Sequence, residues 1–443
     1  MTAVLTPTPQ VTPDGVRAVL SRSILTDGFD FVLDLDRSRG SYLVDARTGD
    51  RFLDMFTFFA SSALGMNHPA LADERFRAEL AQAAVNKPSN SDIYSVPLAR
   101  FVATFRRVLG DPDLPHLFFV DGGALAVENA LKVAFDWKSR HNEARGIDPA
   151  LGTKVLHLRG AFHGRSGYTM SLTNTDPVKV ARFPKFDWPR IDAPYLHPGV
   201  DIAVLEADSL RQARAAFEAN PHDIACFIAE PIQGEGGDRH MRPQFFAAMR
   251  ELCDEFDALL IFDEVQTGCG ITGTAWAYQQ LGAAPDVVAF GKKTQVCGLM
   301  AGRRVDEVAD NVFTVSSRIN STWGGNLVDM VRSRRILEVI ETDDLLRNAA
   351  VTGDYLRGQL HRLAADFVDT VLDPRGRGLM CAFSLPTPAA RDELIRRLWH
   401  SHVIMLPSGT DSVRFRPALT VTHREIDSCL DAVRAALRSP LTG

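Results

Sequence analysis

Short, unbroken apolar runs that stop abruptly at a charge or a glycine turn recur through the middle of this chain. His116 to Val120 runs into Asp121-Gly122-Gly123, Val155 to Leu158 into Arg159-Gly160, and Ile224 to Ala229 into Glu230-Pro231. Ala258 to Phe262 stops at Asp263-Glu264, and Val287 to Phe290 at Gly291-Lys292-Lys293. Runs of this length without polar alternation predict strands buried on both faces. Between them the period changes: Ala126 to Trp137 and Leu205 to Asn220 read as helices, as does Leu327 to about Ile340. Strands alternating with helices predict an α/β fold with a mostly parallel central sheet. In such sheets a ligand lies off the carboxyl ends of the strands, where all five runs deliver candidate groups.

The flanks read differently. Residues 1–12 predict a flexible tail. Thr12-Pro13-Asp14 predicts a helix start leading from Val16 to Leu25, with Thr as N-cap and Pro at the first position. Tyr42 to Asp45 and Arg51 to Asp54 predict a hairpin, followed by a turn at Gly65 to Pro69 and a helical region from Ala70 to Val85. Asn86 to Ser95 reads as a surface loop and Phe183 to Tyr195 as a long connection. His68, ahead of a proline, reads as a turn residue.

At 443 residues the chain is too long for one simple core and predicts about two domains. Hydrophobic residues at 45% and charged ones at 23% fit an ordinary globular protein. A net charge of −6 argues against nucleic acid or an anionic membrane as the main partner. No run is long and apolar enough to span a bilayer, and Met1 to Pro13 does not read as a secretory signal. Six scattered cysteines without a C-x-x-C pair fit reduced thiols better than a disulfide frame or zinc site, so no metal and a cytoplasmic location are expected.

Asp263 and Lys292, at the ends of two apolar runs, suit one chemistry together. A lysine amine in a partly dry pocket forms Schiff bases with carbonyl compounds. A carboxylate facing a pyridine nitrogen keeps it protonated, which makes pyridoxal phosphate an electron sink. Leu260 to Gly268 (Leu-Ile-Phe-Asp-Glu-Val-Gln-Thr-Gly), followed by Asp286 to Lys292, resembles the signature of the class III, pyridoxal-phosphate-dependent aminotransferases. The resemblance implies that Asp263 partners the pyridinium. It makes Lys292, directly after Gly291, the Schiff-base lysine rather than Lys293, and places Gln266 among the cofactor contacts.

The likeness extends over nearly all the chain after the tail. Gly122-Gly123-Ala124, entering a helix through Val127 to Lys132, resembles the family's phosphate loop, which implies that Gly123 and Ala124 hold phosphate. A helix N-terminus with unpaired N–H groups suits that anion. Leu125 departs from the glutamate of many relatives. Phe162-His163-Gly164 resembles the stretch whose aromatic covers the cofactor ring, with His163 beside it. Arg165 matches an arginine that grips the far carboxylate of the substrate in 4-aminobutyrate members. The Gly234-Glu235-Gly236 stretch lacks G-x-G-x-x-G spacing; the resemblance makes Glu235 the partner of a carboxylate-binding arginine, Arg414. Thr322 matches a threonine that reaches phosphate across a dimer interface, with Asn320 as a neighbouring substrate-site candidate. Plainer readings stand beside these: Phe162 as core, Arg165 as a solvated arginine, Glu235 as a loop acid, and Arg414 on an edge strand facing water.

The resemblance implies fold type I and a homodimer with a shared active site. It implies a tail at 1–12, small-domain parts at 13–75 and 329–443, and a large cofactor-binding domain at 76–328. Phe290 to Gly298 and Ile319 to Asn326 look most like the members that move the ε-amino group of L-lysine to 2-oxoglutarate. That implies 2-aminoadipate 6-semialdehyde, which cyclises, and L-glutamate as products of a ping-pong reaction. Ornithine, acetylornithine or 4-aminobutyrate as amine donor, or a non-catalytic pyridoxal-phosphate-binding regulator, stay open at this level.

Overall fold

The computed structural model describes residues 10–441, so positions 1–9 of the expected tail lie outside it. At its centre is a seven-stranded sheet. Its order is His116–Val120, Cys297–Ala301, Val287–Phe290, Leu259–Asp263, Ile224–Ala229, Lys154–Leu158, Arg190–Ile191. All five apolar runs are strands of this sheet. Neighbours from Val287–Phe290 to Arg190–Ile191 pair parallel, with Ile261 opposite Val287 and Ile228 opposite Ile261. Cys297–Ala301 runs the other way. The reason is local: residues 291–296 are too few for a crossover, which needs a dozen or more residues, so the chain turns straight back.

Burial explains four of the five unbroken apolar sequences; His116–Val120 lies at the sheet edge and is only partly buried, contrary to the expectation. Every residue of Ile224–Ala229 and Val287–Phe290 is buried. The helix Gly123–Ala144 crosses one face, and its Trp137 is fully buried with the indole N–H donating to Arg304 O at 3.0 Å. The step from Asp263 to Val287 is made by turns and a short 3₁₀ segment, Ala277–Gln280.

Two smaller sheets complete the frame. The hairpin Tyr42–Val44 and Arg51–Asp54 is extended by Val403–Ile404, pairing parallel to the second strand. A four-stranded antiparallel sheet has the order Leu372–Arg377, Met380–Ser384, Ser412–Phe415, Leu406–Ser408. The first helix is shorter than its sequence pattern: Pro13–Gly15 is a 3₁₀ turn, and the α-helix Val16–Leu20 stops before Leu25. Leu25 is 82% exposed, so no packed face supports the extra turn. Among the described residues, no helix is long and apolar enough to cross a membrane.

Candidate active site

The carboxyl ends of the central strands open into a cavity of about 780 Å³. Gly123, Ala124, Phe162, His163, Arg165, Glu235, Asp263, Gln266 and Lys292 all line it. They come from four strand ends and one loop, so the sheet rather than any local motif gathers them. Asn320 and Thr322 are exposed and do not line this cavity. Arg414 stands behind Glu235.

Asp263 ends its strand and is buried. One carboxylate oxygen accepts from Val265 N at 3.1 Å, and the other accepts from His163 Nδ1 at 2.8 Å. His163 is buried too, and its Nε2 has no hydrogen-bond partner among the described residues. Lys292 follows extended Gly291 and takes a left-handed backbone, φ 53°. Burial pushes its amine below the usual lysine range, and Asp263 pulls it partly back. A lysine so placed gives up its proton more readily than one in water, which suits a nucleophile or base.

The turn into the long helix is shaped for an anion. Gly122 has φ 103°, which only glycine adopts easily, and no side chain caps the helix start. A Cβ on Gly123 would sit 2.9 Å from Val265 Cγ1, so the glycine lets the loop pack closely on the turn at 263–266. These residues fit pyridoxal phosphate. A helix start with free N–H groups would suit the phosphate, an aromatic such as Phe162 the ring face, the carboxylate of Asp263 a protonated ring nitrogen, and the amine of Lys292 an aldehyde.

Several further residues shape the site without a role assigned from the sequence. Glu230 is buried; it accepts from Phe162 N at 2.9 Å and Gly234 N at 3.1 Å, tying the ring-face loop to the Glu235 loop. Burial pushes its carboxyl up to about 7. Arg416 lies two residues beyond Arg414, on the same face of the extended chain. Its guanidinium is fully buried against Asp238 and donates to Gln266 Oε1 from Nε at 3.0 Å and Nη2 at 2.9 Å. Gln266 therefore lines the cavity with its carbonyl already engaged. The strand Ser412–Phe415 is flanked on both sides, and Arg414 is only 4% exposed, so the solvent-facing edge reading does not hold. Arg414 Nη2 donates to Glu235 Oε2 at 3.1 Å.

Phe58 and Phe59 also line the cavity, from a segment without any recognisable pattern. Thr57, Phe58, Phe59 and Ala60 all have positive φ, 44° to 67°. A left-handed turn of non-glycine residues costs about 1–2 kcal/mol per residue. Its ends are tied down. Asp54 Oδ1 accepts from Phe56 N and Thr57 N, Lys293 Nζ donates to Ala60 O at 2.7 Å, and Gln295 Nε2 donates to Ser61 O at 2.8 Å. Lys293 thus serves the wall, and Lys292 faces the cavity.

Glu264, beside Asp263, is fully buried and accepts from Tyr278 N at 2.7 Å and Thr267 Oγ1 at 2.5 Å. Burial raises its carboxyl from the ordinary 4.5 to about 7. Between those two pH values the folded protein keeps a proton that the unfolded chain releases, so this contribution to stability is lost as pH rises through the window. Glu264→Gln should therefore cost more stability at pH 5 than at pH 8. Urea midpoints at the two pH values check this; an equal shift at both would mean the carboxyl is ionised throughout.

The class III aminotransferase family model matches residues 26–437, and the chain belongs to that family. It is an enzyme of the pyridoxal-phosphate-dependent transaminases, with their mixed α/β fold. The particular likeness is sharper. The L-lysine-epsilon aminotransferase of Mycobacterium tuberculosis strain H37Rv is 77% identical over 430 residues, 96% of each chain. That of Amycolatopsis lactamdurans is 60% identical over 433 residues, again 96% of each. A solved lysine aminotransferase from M. tuberculosis, in the internal aldimine form, superposes with a TM-score of 0.96 at 77% identity, covering 96% of this chain and 99% of the other.

Proposed function

We propose that this enzyme moves the ε-amino group of L-lysine to 2-oxoglutarate, giving 2-aminoadipate 6-semialdehyde and L-glutamate. The likeness to two L-lysine-epsilon aminotransferases carries the choice of donor, and a pair of arginines accounts for how one site takes both substrates. Arg165 is exposed at the cavity and makes no ion pair among the described residues. Arg414 is buried and already partnered by Glu235. Lysine reacts at its ε end, so its α-carboxylate lies far from the reacting nitrogen, where Arg165 holds it. The carboxylates beside the reacting carbons of glutamate and 2-oxoglutarate need Arg414. The close likeness to two lysine aminotransferases supports the same donor; ornithine and 4-aminobutyrate are the donors to test against.

Each residue then has a task. Gly123 and Ala124 hold the phosphate through backbone N–H groups, Phe162 covers the ring, and His163 orients Asp263 toward the ring nitrogen. Gln266 is placed at the same ring by Arg416. Bound pyridoxal phosphate supplies the aldehyde that condenses with amines and the electron sink that stabilises negative charge on the substrate carbon. Lys292 holds the cofactor at rest and, once displaced, carries the proton to and from the substrate carbon. Its lowered basicity fits that task.

Glu235 neutralises Arg414 while lysine is bound and releases it to the keto acid. Glu235→Ala should therefore slow the lysine half-reaction about tenfold more than the glutamate half-reaction, since an uncompensated buried guanidinium meets an uncharged aminoalkyl chain. Single-turnover spectra with each amino acid decide the matter; equal loss in both removes Glu235 from specificity.

The site reads as complete in a homodimer, with Thr322 of the partner subunit at the phosphate and Asn320 beside it. Leu125, on the first turn of the phosphate helix, is 44% exposed and Trp323 is 41% exposed, large apolar groups that a second copy would cover. The pairing of Arg51–Asp54 with Val403–Ile404 supports a small domain built from residues 13–75 and 329–443 beside a large one at 76–328. Six cysteines with free thiols fit the reducing cytoplasm.

A further inference from the structure

Two cations hold Glu235. While Oε2 accepts from Arg414, Oε1 accepts from Lys179 Nζ at 2.6 Å. Lys179 ends the 3₁₀ turn Pro177–Lys179, whose start is fixed by Asp176 accepting from Val178 N at 2.9 Å. Its ammonium also lies 5.5 Å from the centre of the Phe162 ring. The side chains of Lys179 and Glu235 are about a quarter exposed, whereas that of Arg414 is 4% exposed. The carboxylate therefore sits between a fixed, buried cation and a more solvated one on a short turn at the cavity.

We propose that Lys179 is the partner that keeps Glu235 when the keto-acid carboxylate takes Arg414. This rests on the reading of Glu235 as the exchangeable partner of Arg414. The count of charges carries it. With no keto acid bound, two cations share one carboxylate. With the keto acid on Arg414, two carboxylates are present, and each has a cation of its own only because Lys179 is there. Without Lys179, the incoming carboxylate would leave Glu235 unpaired in a partly buried cavity, and an unpaired charge there is strongly disfavoured. Lys179 never has to let go: Oε1 is already bonded to it, so opening the gate costs one ion pair and not two.

Lys179→Met should raise the KM for 2-oxoglutarate about tenfold, in the range of coupled charge contacts, and leave the lysine half-reaction within about twofold. The Kd of glutarate, a dicarboxylate with no carbonyl to react, should rise in parallel in calorimetry. Lys179→Arg, which keeps the charge, should bring both back to within about threefold of the starting enzyme. In a Glu235→Gln background the Lys179→Met change should have no further effect. Equal loss of both half-reactions, or no change, would overturn the proposal. So would a tenfold effect of Lys179→Met that persists in the Glu235→Gln background, since it would make Lys179 a direct contact of the keto acid. The Glu235→Ala half-reactions, measured separately, show whether a failure lies there or with Lys179.

Discussion

Replacing Lys292 by alanine should lower both half-reactions by at least about 10⁴-fold in an otherwise folded protein. Proton transfer by a positioned side chain alone contributes about 10²–10⁴-fold, and this residue also anchors the cofactor, so the losses act as one unit. Lys292→Arg should be no better: the charge survives, but a guanidinium neither condenses with an aldehyde nor gives up a proton near neutral pH. Stopped-flow measurement of each half-reaction, with cofactor content determined separately, checks both variants. Activity within about a hundredfold of the starting enzyme would move the proton-transfer role to another residue. Lys293 is no substitute, because its ammonium is buried against Ala60 O, on the far side of the wall it supports.

Asp238→Ala should cost about 3–5 kcal/mol of stability, the usual range when one partner of a buried ion pair is removed. Asp238 and Arg416 are 0% and 1% exposed at their side chains, and Arg416 Nη1 donates to Asp238 Oδ2 at 2.9 Å. The same guanidinium holds Gln266, so the variant should also loosen the cavity floor. Removing both charges together, Asp238→Ala with Arg416→Met, should recover most of the loss, because no uncompensated charge then remains. Urea unfolding of the single and double variants tests this. A loss below about 1 kcal/mol for Asp238→Ala would mean that water reaches the pair.

How much of this is legible in the sequence depends on how local each signal is. Four of the five strands are readable because burial on both faces demands unbroken apolar runs, the edge strand His116–Val120 is apolar though only partly buried, and Asp263, Lys292 and Phe162 are found at strand ends. Glu235 and Arg414 can be paired only through family resemblance, since 179 positions separate them. Nothing local marks Lys179, a single lysine in a proline-containing connection, or Asp238, which meets Arg416 across 178 positions. The expected first helix is too long because a favourable start says nothing about whether a core waits for its later turns. The reversed strand Cys297–Ala301 follows from a connection length, a signal that the apolar runs themselves do not carry.

The left-handed turn at Thr57–Ala60 bears on how this enzyme could be remade. Its backbone is fixed by Asp54, Lys293 and Gln295, which hold main-chain atoms and not the rings of Phe58 or Phe59. The wall is therefore a replaceable lining on a separately anchored support. Glycine and asparagine, the residues most at ease with positive φ, would relieve the backbone there even as they enlarge the cavity. At most positions a smaller residue beside a substrate weakens the fold, so selection for bulkier amines usually proceeds against stability. At position 59, where the phenylalanine is 54% exposed, the two demands point the same way, whereas Phe58 packs on the apolar cluster around Phe52 and Phe56 and would lose that packing; position 59 is the first place to diversify when a broader amine range is wanted.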